Sequence, residues 1–314
     1  MSELLLRVRN LQVEFERRAA VRDMSFDLHA GETLGLVGES GSGKSTLARA
    51  ILRLTGSHGG SVRWRGEELL TCPAARLRAL RRDLQIVFQN PLASLDPRMT
   101  IAAAIGEPLK IFEPQLAPQA RNRRIAAMLE RVGLNAEMGG RYPHEFSGGQ
   151  CQRVGVARAM ILNPKLLICD EPVSSLDVSI QGQIVNLLAD LQNEFGTAML
   201  FISHNLAVVR HLSRRILVMY MGRCVESAAR DELFSKPLHP YAAALLAAAA
   251  GVPSGAQTAP ARAQQPVGGC AYRDRCAYAV APCETIEPPL AEISPGHFAA
   301  CHRAREFCGS GLVP

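Results

Sequence analysis

The sequence is poor in aromatic residues and has no long uncharged hydrophobic run. Phe, Trp and Tyr make up 5% of the 314 residues, and only one of them is a tryptophan. No uncharged apolar stretch reaches the roughly 18 residues that a membrane-spanning helix needs, and the first ten residues, MSELLLRVRN, do not form a signal peptide. We therefore expect a chain that is neither secreted nor embedded in a membrane and that reaches a membrane only through a partner.

The shortage of aromatic residues also counts against the binding of single-stranded nucleic acid. The net charge is +6, and arginines gather within residues 76–82 and 121–124. Such runs can attract nucleic acid or anionic lipid, but neither is interleaved with the aromatic side chains on which bases stack. We interpret them as solvated helix faces and keep a nucleic-acid partner as the lesser alternative.

The hydrophobic pattern predicts an α/β fold for residues 1–250. Alternation over residues 4–15 predicts edge strands with one buried face and a β-rich N-terminal subdomain. Short apolar runs, at 33–37, 166–169 and 199–203, predict a parallel sheet covered on both faces. Helical patterns separate them, and residues from about 91 to 162 are predicted to form a helical subdomain.

The composition changes after residue 250. Residues 251–269 are rich in Pro, Gly, Ala and Gln and are predicted to be a linker. Residues 270–314 follow as a small, loop-rich extension that holds five of the nine cysteines and is too short for much of a core of its own.

A glycine-rich segment fits the phosphate-loop pattern G-x-x-x-x-G-K-[ST]. It lies between the predicted strand at 33–37 and a helical pattern at 44–54, as the pattern requires, so a chance glycine-rich turn is disfavoured. We expect its amides to surround phosphates, Lys44 to reach the β and γ oxygens, and Ser45 to ligate Mg²⁺. The predicted nucleotide-binding residues are Gly38, Glu39, Ser40, Gly41, Ser42, Gly43, Lys44, Ser45 and Thr46. Kinases, GTPases and transport ATPases share this loop.

Polar residues that end three buried strands suggest hydrolysis. Asp170 and Glu171 follow the run at 166–169, where Asp170 is expected to hold Mg²⁺ through water and Glu171 to act as the general base. Gln89 and His204 end two further strands and are expected to converge on the metal and the γ-phosphate. Taken alone, each of them could be an ordinary polar residue at the edge of the core.

The segment Ser147-Gly148-Gly149-Gln150, followed by Cys151-Gln152-Arg153, resembles the signature of the ABC ATPase family. The stretches FQNPLASLDPRMTI, YPHEFSGGQCQR and CDEPVSSLDVSIQ are similar to the oligopeptide and dipeptide importer branch, and the resemblance covers about residues 4–250. The signature begins with Phe146, where Leu is commoner in the family.

The resemblance implies roles for further residues. The signature is expected to cap the γ-phosphate bound by an opposite subunit, so that hydrolysis needs a dimer. Gln89 matches the loop that couples ATP to the permease, Asp177 the dimer-contacting loop, and His204 the histidine that senses the γ-phosphate. Phe15 matches the position at which an aromatic ring stacks on adenine, with burial in the core as the alternative.

The same resemblance implies a function and partners. The chain is expected to hydrolyse ATP at the cytoplasmic face of the inner membrane and to energise uptake of di- or oligopeptides. Its partners would be a paralogous ATPase in a heterodimer, two permease subunits and an extracytoplasmic solute-binding protein. Nickel or another solute is an alternative cargo. A soluble ABC ATPase acting on DNA or ribosomes is a rival, but such proteins usually carry paired modules or long helical insertions.

The cysteines of the extension leave three interpretations open. Cys270, Cys276, Cys283 and Cys301 are separated by five, six and seventeen residues, spacings wider than those of most structural zinc sites. Disulfides are disfavoured in a reducing compartment. Similarity to the C-terminal extension of peptide-importer ATPases implies that the four thiols hold a [4Fe–4S] cluster. Cys308 is left over as a spare. The four cysteines outside the extension, Cys72, Cys151, Cys169 and Cys224, are predicted to be small buried hydrophobic residues.

Overall fold

The computed structural model describes residues 2–15, 18–251, 268–310 and 312. The chain forms two compact units. The first contains Met1–Leu6, Leu28–Glu32 and Trp64–Ile202, and the second contains Arg7–Asp27, Thr33–Arg63 and Ser203–Pro314. Most of the predicted linker, residues 252–267, lies outside the described residues.

The described strands are β1 (Leu4–Phe15), β2 (Arg18–His29), β3 (Thr33–Val37), β4 (Gly59–Trp64), β5 (Glu67–Glu68), β6 (Leu84–Val87), β7 (Leu166–Asp170), β8 (Ala198–Ile202), β9 (Arg215–Tyr220), β10 (Arg223–Ala229), β11 (Ala291–Ser294) and β12 (His297–Ala299). The described helices are α1 (Lys44–Ile51), α2 (Ala74–Leu80), α3 (Pro91–Ser94), α4 (Ile101–Phe112), α5 (Pro118–Arg131), α6 (Gly148–Met160), α7 (Val178–Phe195), α8 (Leu206–Leu212), α9 (Arg230–Ser235), α10 (Pro240–Ala249), α11 (Pro282–Thr285) and α12 (Ala304–Ser310). Short 3₁₀ turns lie at Ala136–Gly140, Pro143–Glu145 and Arg273–Arg275.

The first unit is built around three parallel strands in the order β8-β7-β6. Every residue of β7 and β8 is buried, as expected for strands covered on both faces. Because β6 and β7 run in the same direction, with Val87 opposite Cys169, the residues that follow them emerge at one edge of the sheet. The structure thus confirms the predicted parallel α/β arrangement.

Helices of the first unit follow their sequence patterns. Along α7 the apolar side chains of Ile184, Leu188 and Leu191 form one buried stripe, and the helix ends at Gly196, whose φ of 62° is the left-handed conformation that glycine adopts readily. Between β6 and β7, the described secondary structure is helical, with α3 to α6 and two 3₁₀ turns.

The second unit has a mixed sheet in the order β11-β12-β10-β9-β3. Strand β3 runs parallel to β9, whereas β9, β10, β12 and β11 pair antiparallel in succession. Within a separate sheet, β1 lies between β2 and β4. The prediction of edge strands over residues 4–15 is therefore wrong. Alternation reports one buried face, and it does not distinguish an edge strand from an interior one.

The C-terminal extension is more regular than the loop-rich tail that its sequence suggests. Strands β11 and β12 form a hairpin that adds to β10, with Ala299 opposite Glu226. The turn contains Gly296 at a φ of 76°. Three apolar side chains of the extension, Ala299, Ala304 and Phe307, pack with Leu238 into one buried cluster. The extension therefore shares a core with the preceding residues of its unit.

The structure also tests the predictions for the scattered cysteines and for membrane-spanning segments. Cys72, Cys151, Cys169 and Cys224 are all buried, as predicted. None of the helices in the described part of the chain is long and apolar enough to cross a membrane.

Candidate nucleotide-binding site

The glycine-rich loop follows the wholly buried strand β3 and leads directly into α1. Gly43 precedes the helix with a φ of 105°, and a Cβ atom added there would lie 2.1 Å from the carbonyl oxygen of Ala20. A Cβ added to Gly38 would lie 2.2 Å from the carbonyl oxygen of Met219. Glycine is required at both positions, because no side chain fits between the loop and these carbonyls.

The loop gathers groups that suit an anion. Lys44 is 4% exposed, and its Nζ donates hydrogen bonds to the carbonyl oxygens of Gly38 (2.8 Å) and Glu39 (2.9 Å). The Ser42 hydroxyl is buried and has no hydrogen-bond partner among the described residues. No acidic residue lies in the first turn of α1, so its positive N-terminal potential is not neutralised. These donors fit a phosphate group.

Strand β7 ends in the two predicted carboxylates. Asp170 is 1% exposed, whereas Glu171 is partly exposed and has a φ of 48°. A left-handed conformation is uncommon outside glycine because it costs free energy. Where the surrounding structure retains one, it often directs a side chain at a functional site. The conformation is fixed by the Glu171 amide, which donates to the carbonyl oxygen of Ile202 at 3.0 Å.

Gln89 and Glu171 are brought together at the edge of the first unit's sheet. The Gln89 Nε2 donates to Glu171 Oε2 at 3.4 Å, which is a long hydrogen bond between residues 82 positions apart in sequence. This contact agrees with the expectation that polar residues ending neighbouring parallel strands converge. An amide beside a carboxylate can hold a water molecule between them.

The signature segment forms the start of α6. Ser147 precedes the helix, and its Oγ accepts from the amide of Gln150 at 3.3 Å while Gln150 Oε1 accepts from the amide of Ser147 at 2.9 Å. This reciprocal pair is a capping box, which fixes the helix start. Ser147 and Gly148 are exposed, and the first turn of α6 has no acidic residue. The exposed N-terminus is therefore able to receive an anion.

The remaining predicted residues lie at exposed positions. Asp177 precedes α7 and adjoins Val178, whose side chain is 85% exposed. His204 is exposed and belongs to the second unit. Phe15, at the end of β1, is 49% exposed, so the alternative that it is buried in the core is wrong.

Four of the five cysteines of the extension, Cys270, Cys276, Cys283 and Cys301, lie near one another. Burial, with smaller contributions from the nearby Cys276, Cys270 and Cys283, raises the pKa of the Cys301 thiol to about 12. The amide of Cys270 donates to the carbonyl oxygen of Cys283 at 2.8 Å. Among the described residues, however, no group of three or more His, Cys, Asp or Glu side chains is arranged to hold a metal ion. The structure therefore gives the predicted iron–sulfur cluster no support.

Two contacts on Glu39 were missed by the sequence analysis. The Glu39 amide donates to the hydroxyl of Tyr241 at 2.8 Å, and its carboxylate forms a two-pronged ion pair with Arg275 at 2.9 and 3.0 Å. These partners lie 202 and 236 positions further along the chain. No local pattern connects such distant positions, so one sequence contains no signal for either contact.

The fold and these loops define a cassette ATPase. Residues 21–174 match the sequence profile of the ABC transporter family, and residues 225–283 match that of the oligopeptide/dipeptide transporter C-terminal region. The chain is 46% identical to the oligopeptide transport ATP-binding protein OppF of Haemophilus influenzae, over 95% of this chain and 97% of that one. The chain belongs to the ABC transporter family and is an ATP-hydrolysing subunit of it.

Two further comparisons extend this result. The glutathione import ATP-binding protein GsiA of Escherichia coli is 54% identical over 78% of this chain and 41% of its own length. A solved ATP-binding cassette, a dimer in a post-hydrolysis state with ADP and phosphate, aligns with a TM-score of 0.66 and 26% identity. That alignment covers 72% of this chain and 99% of the cassette. The cassette fold thus accounts for most of the chain.

Proposed function

We propose that the chain energises the import of di- or oligopeptides across the cytoplasmic membrane, as a peripheral subunit on its cytoplasmic face. The observation that carries the proposal is the match of residues 225–283 to the C-terminal region of oligopeptide and dipeptide transporters. The OppF relatives, named for oligopeptide transport, add support over nearly the whole chain. Nickel or another solute is the alternative cargo.

In this proposal ATP and Mg²⁺ bind at the segment from Gly38 to Thr46. Lys44 would exchange the two loop carbonyls that it contacts for phosphate oxygens, and the amides at the start of α1 would add further donors. Oxygen-bearing side chains suit Mg²⁺, and we assign Ser45, Asp170 and Gln89 to it. Mg²⁺ neutralises charge on the phosphates when it is bound.

We assign Glu171 as the general base for hydrolysis. Its carboxylate is held beside the Gln89 amide, so the two side chains are suited to orient one water molecule and to accept a proton from it. The left-handed backbone at Glu171 supports the assignment, because the conformation directs the side chain at a cost in stability. His204 is assigned to sensing the γ-phosphate, and Phe15 to stacking on adenine, for which its exposed ring is suited.

We further propose that the signature acts on the nucleotide of a second ATPase subunit, a paralogue in a heterodimer. The start of α6, where Ser147 and Gly148 are exposed and the first turn has no acidic residue, presents the positive end of the helix to a partner. Asp177 would lie at the contact between subunits. The exposed Val178 beside it supports this, since a large apolar side chain in water is favourable to cover.

The permease contact is assigned to a cavity of the first unit. It measures about 580 Å³, and its lining includes Phe88 and Pro91, which flank the Gln89 segment, together with Ile111 and Gln152. Ile111 is 48% exposed, and both side-chain polar atoms of the buried Gln152 lack a partner among the described residues. The lining also includes charged side chains, Arg78, Arg81, Glu107 and Arg158, and a cavity that mixes apolar, charged and unmet polar groups suits a docked segment of a partner. An extracytoplasmic solute-binding protein would complete the importer.

An iron–sulfur cluster at the cysteines of the extension is a separate hypothesis, which a metal analysis can test. The donor chemistry fits, because four thiols lie near one another, but their arrangement does not form a metal group. Protein purified without oxygen would contain iron and sulfide that are lost in Cys276→Ser if the cluster forms. Stoichiometric zinc without iron would refute it.

The experiment that tests the proposed function is ATP hydrolysis by the chain reconstituted with its paralogue, two permeases and binding protein. We expect added di- or oligopeptides to stimulate hydrolysis. Hydrolysis that responds to nickel but to no peptide would reject the peptide cargo and keep the ATPase. Stimulation by nucleic acid or ribosomes in the absence of permeases would reject the importer.

A further inference from the structure

Glu39, the second residue of the phosphate loop, is held at three points. Its amide donates to the Tyr241 hydroxyl at 2.8 Å, and its carboxylate is paired with Arg275. Its carbonyl oxygen accepts from Lys44 Nζ at 2.9 Å. Two of the three contacts thus come from α10 and from the C-terminal extension. The third comes from Lys44, the residue that we assign to the phosphates.

Arg275 is well fixed by its surroundings. Its side chain is only 18% exposed, and its guanidinium lies over the rings of Tyr220 and Tyr272, 5.9 and 5.4 Å from their centres. Both of its terminal nitrogens bond Glu39, at 3.0 and 2.9 Å. A two-pronged pair of this kind fixes direction as well as distance, because the guanidinium is planar and rigid.

The support behind Arg275 is an aromatic group, which we call the tyrosine cluster: Tyr220, Tyr241 and Tyr272. The ring centres of the cluster lie 4.5 to 5.5 Å apart. Tyr241 and Tyr272 are 1% and 3% exposed. Close aromatic packing at these distances is favourable and leaves little freedom. The cluster therefore joins β9, α10 and the extension behind the phosphate loop.

We propose that Arg275 is a positioning residue for the ATP site, through which the C-terminal extension sets the conformation of the phosphate loop. By holding the Glu39 carboxylate, Arg275 fixes the carbonyl that Lys44 contacts and so prepares the lysine for phosphate. This inference rests on the proposed nucleotide site at Gly38–Ser45. It adds that the extension, beyond any role in binding metal, tunes the affinity of that site.

The test is the affinity of the full chain for a fluorescent ATP analogue with Mg²⁺. We expect Arg275→Ala to weaken binding about fivefold, equivalent to about 1 kcal/mol for a partly exposed ion pair. In the reconstituted complex, KM for ATP should rise by a similar factor while kcat changes less than twofold. Arg275→Lys keeps the charge and should recover part of the affinity.

The chain offers a matched control in Arg303. This arginine also belongs to the extension, pairs with Glu306, and lies 6.0 and 5.5 Å from the centres of the Tyr278 and Phe307 rings. None of these three contacts involves the phosphate loop. Arg303→Ala should leave ATP affinity unchanged. Equal losses in Arg275→Ala and Arg303→Ala would mean that the extension acts only through general stability, which would overturn the proposal.

A double-mutant cycle separates this inference from the proposed site. Because Glu39→Gln and Arg275→Ala break the same contact, their effects on affinity should not add in the double variant. Fully additive effects, or wild-type affinity in Arg275→Ala, would overturn the positioning role. Lys44→Ala should abolish binding in every background. Binding that survives Lys44→Ala would instead reject the nucleotide site itself.

Discussion

Glu226 is a buried carboxylate whose removal should weaken the attachment of the extension. It is 0% exposed on β10, and it accepts hydrogen bonds from the amides of Leu238 (2.8 Å) and His239 (2.7 Å) and from Nε2 of His297 (2.7 Å). Glu226→Ala would leave all three donors buried without an acceptor. A buried unsatisfied donor costs about 1–3 kcal/mol, and breaking a buried pair costs about 3–5 kcal/mol.

We therefore expect Glu226→Ala to lose about 3–5 kcal/mol of unfolding free energy, since partial relaxation keeps the total below the sum over three donors. The wild-type carboxylate itself adds little net free energy of unfolding. Burial raises its pKa, an effect that the bonds from His297, Leu238 and His239 only partly offset. The loss on substitution comes from the stranded donors rather than from an especially strong ion pair.

The assay combines urea unfolding with hydrogen exchange. The Leu238 and His239 amides should lose protection in Glu226→Ala well beyond the global change, because their acceptor is gone. Glu292→Ala is the control: its exposed side chain accepts one bond, from the amide of Gly296 at 2.8 Å, and its loss should be about 0.5 kcal/mol or less. A loss below about 1 kcal/mol in Glu226→Ala, with normal protection at both amides, would refute the reasoning.

Three further predictions concern single positions. Glu171→Gln should retain ATP binding and trap a closed dimer while turnover falls about 100-fold or more, and unchanged turnover in an ATPase assay would disprove its role as base. Gly43→Ala should lower the free energy of unfolding in urea by about 1–3 kcal/mol and weaken ATP-analogue binding, because its Cβ would clash with the carbonyl of Ala20. The control Gly182→Ala lies in open space on α7 and should raise the free energy of unfolding by about 0.5–1 kcal/mol. Equal effects of the two substitutions would contradict the clash. Burial lowers the pKa of His239 to about 3 from 6.5, so stability present above pH 6.5 is lost on acidification towards pH 3. His239→Asn, which keeps a capping acceptor, should remove up to one proton, about 1.4 kcal/mol per pH unit, from that slope in unfolding titrations; an unchanged slope would contradict neutral burial.

Features set by nearby residues were predictable from the sequence. The phosphate loop depends on glycine conformation and on a strand and a helix that adjoin it, and all of these lie within about twenty residues. The start of α6 is likewise local, since Ser147 and Gln150 satisfy one another three positions apart. The meeting of Gln89 with Glu171 was predictable for a different reason: parallel strands bring their ends to one edge.

Features set by pairing between distant strands were not predictable. The alternation of residues 4–15 gave the buried face of β1 but not its neighbours, because an interior strand of a one-sided sheet shows the same period of two. In the extension, Pro295-Gly296 marks a turn, and this was the available signal for the β11–β12 hairpin. Its addition to β10 depends on Glu226 and His297, 71 positions apart.

The same limit applies with most force to the phosphate loop itself. The pattern G-x-x-x-x-G-K-[ST] allows any residue at its second position, so the motif gives the side chain of Glu39 no function. In this chain the residue is bonded from two sides: Tyr241 of α10 accepts from its amide, and Arg275 of the extension donates to its carboxylate. A position that the motif leaves variable is therefore where a particular subunit can attach its own regulatory segment to a shared catalytic loop. Affinity for ATP can then differ between related ATPases without any change in the residues that contact phosphate.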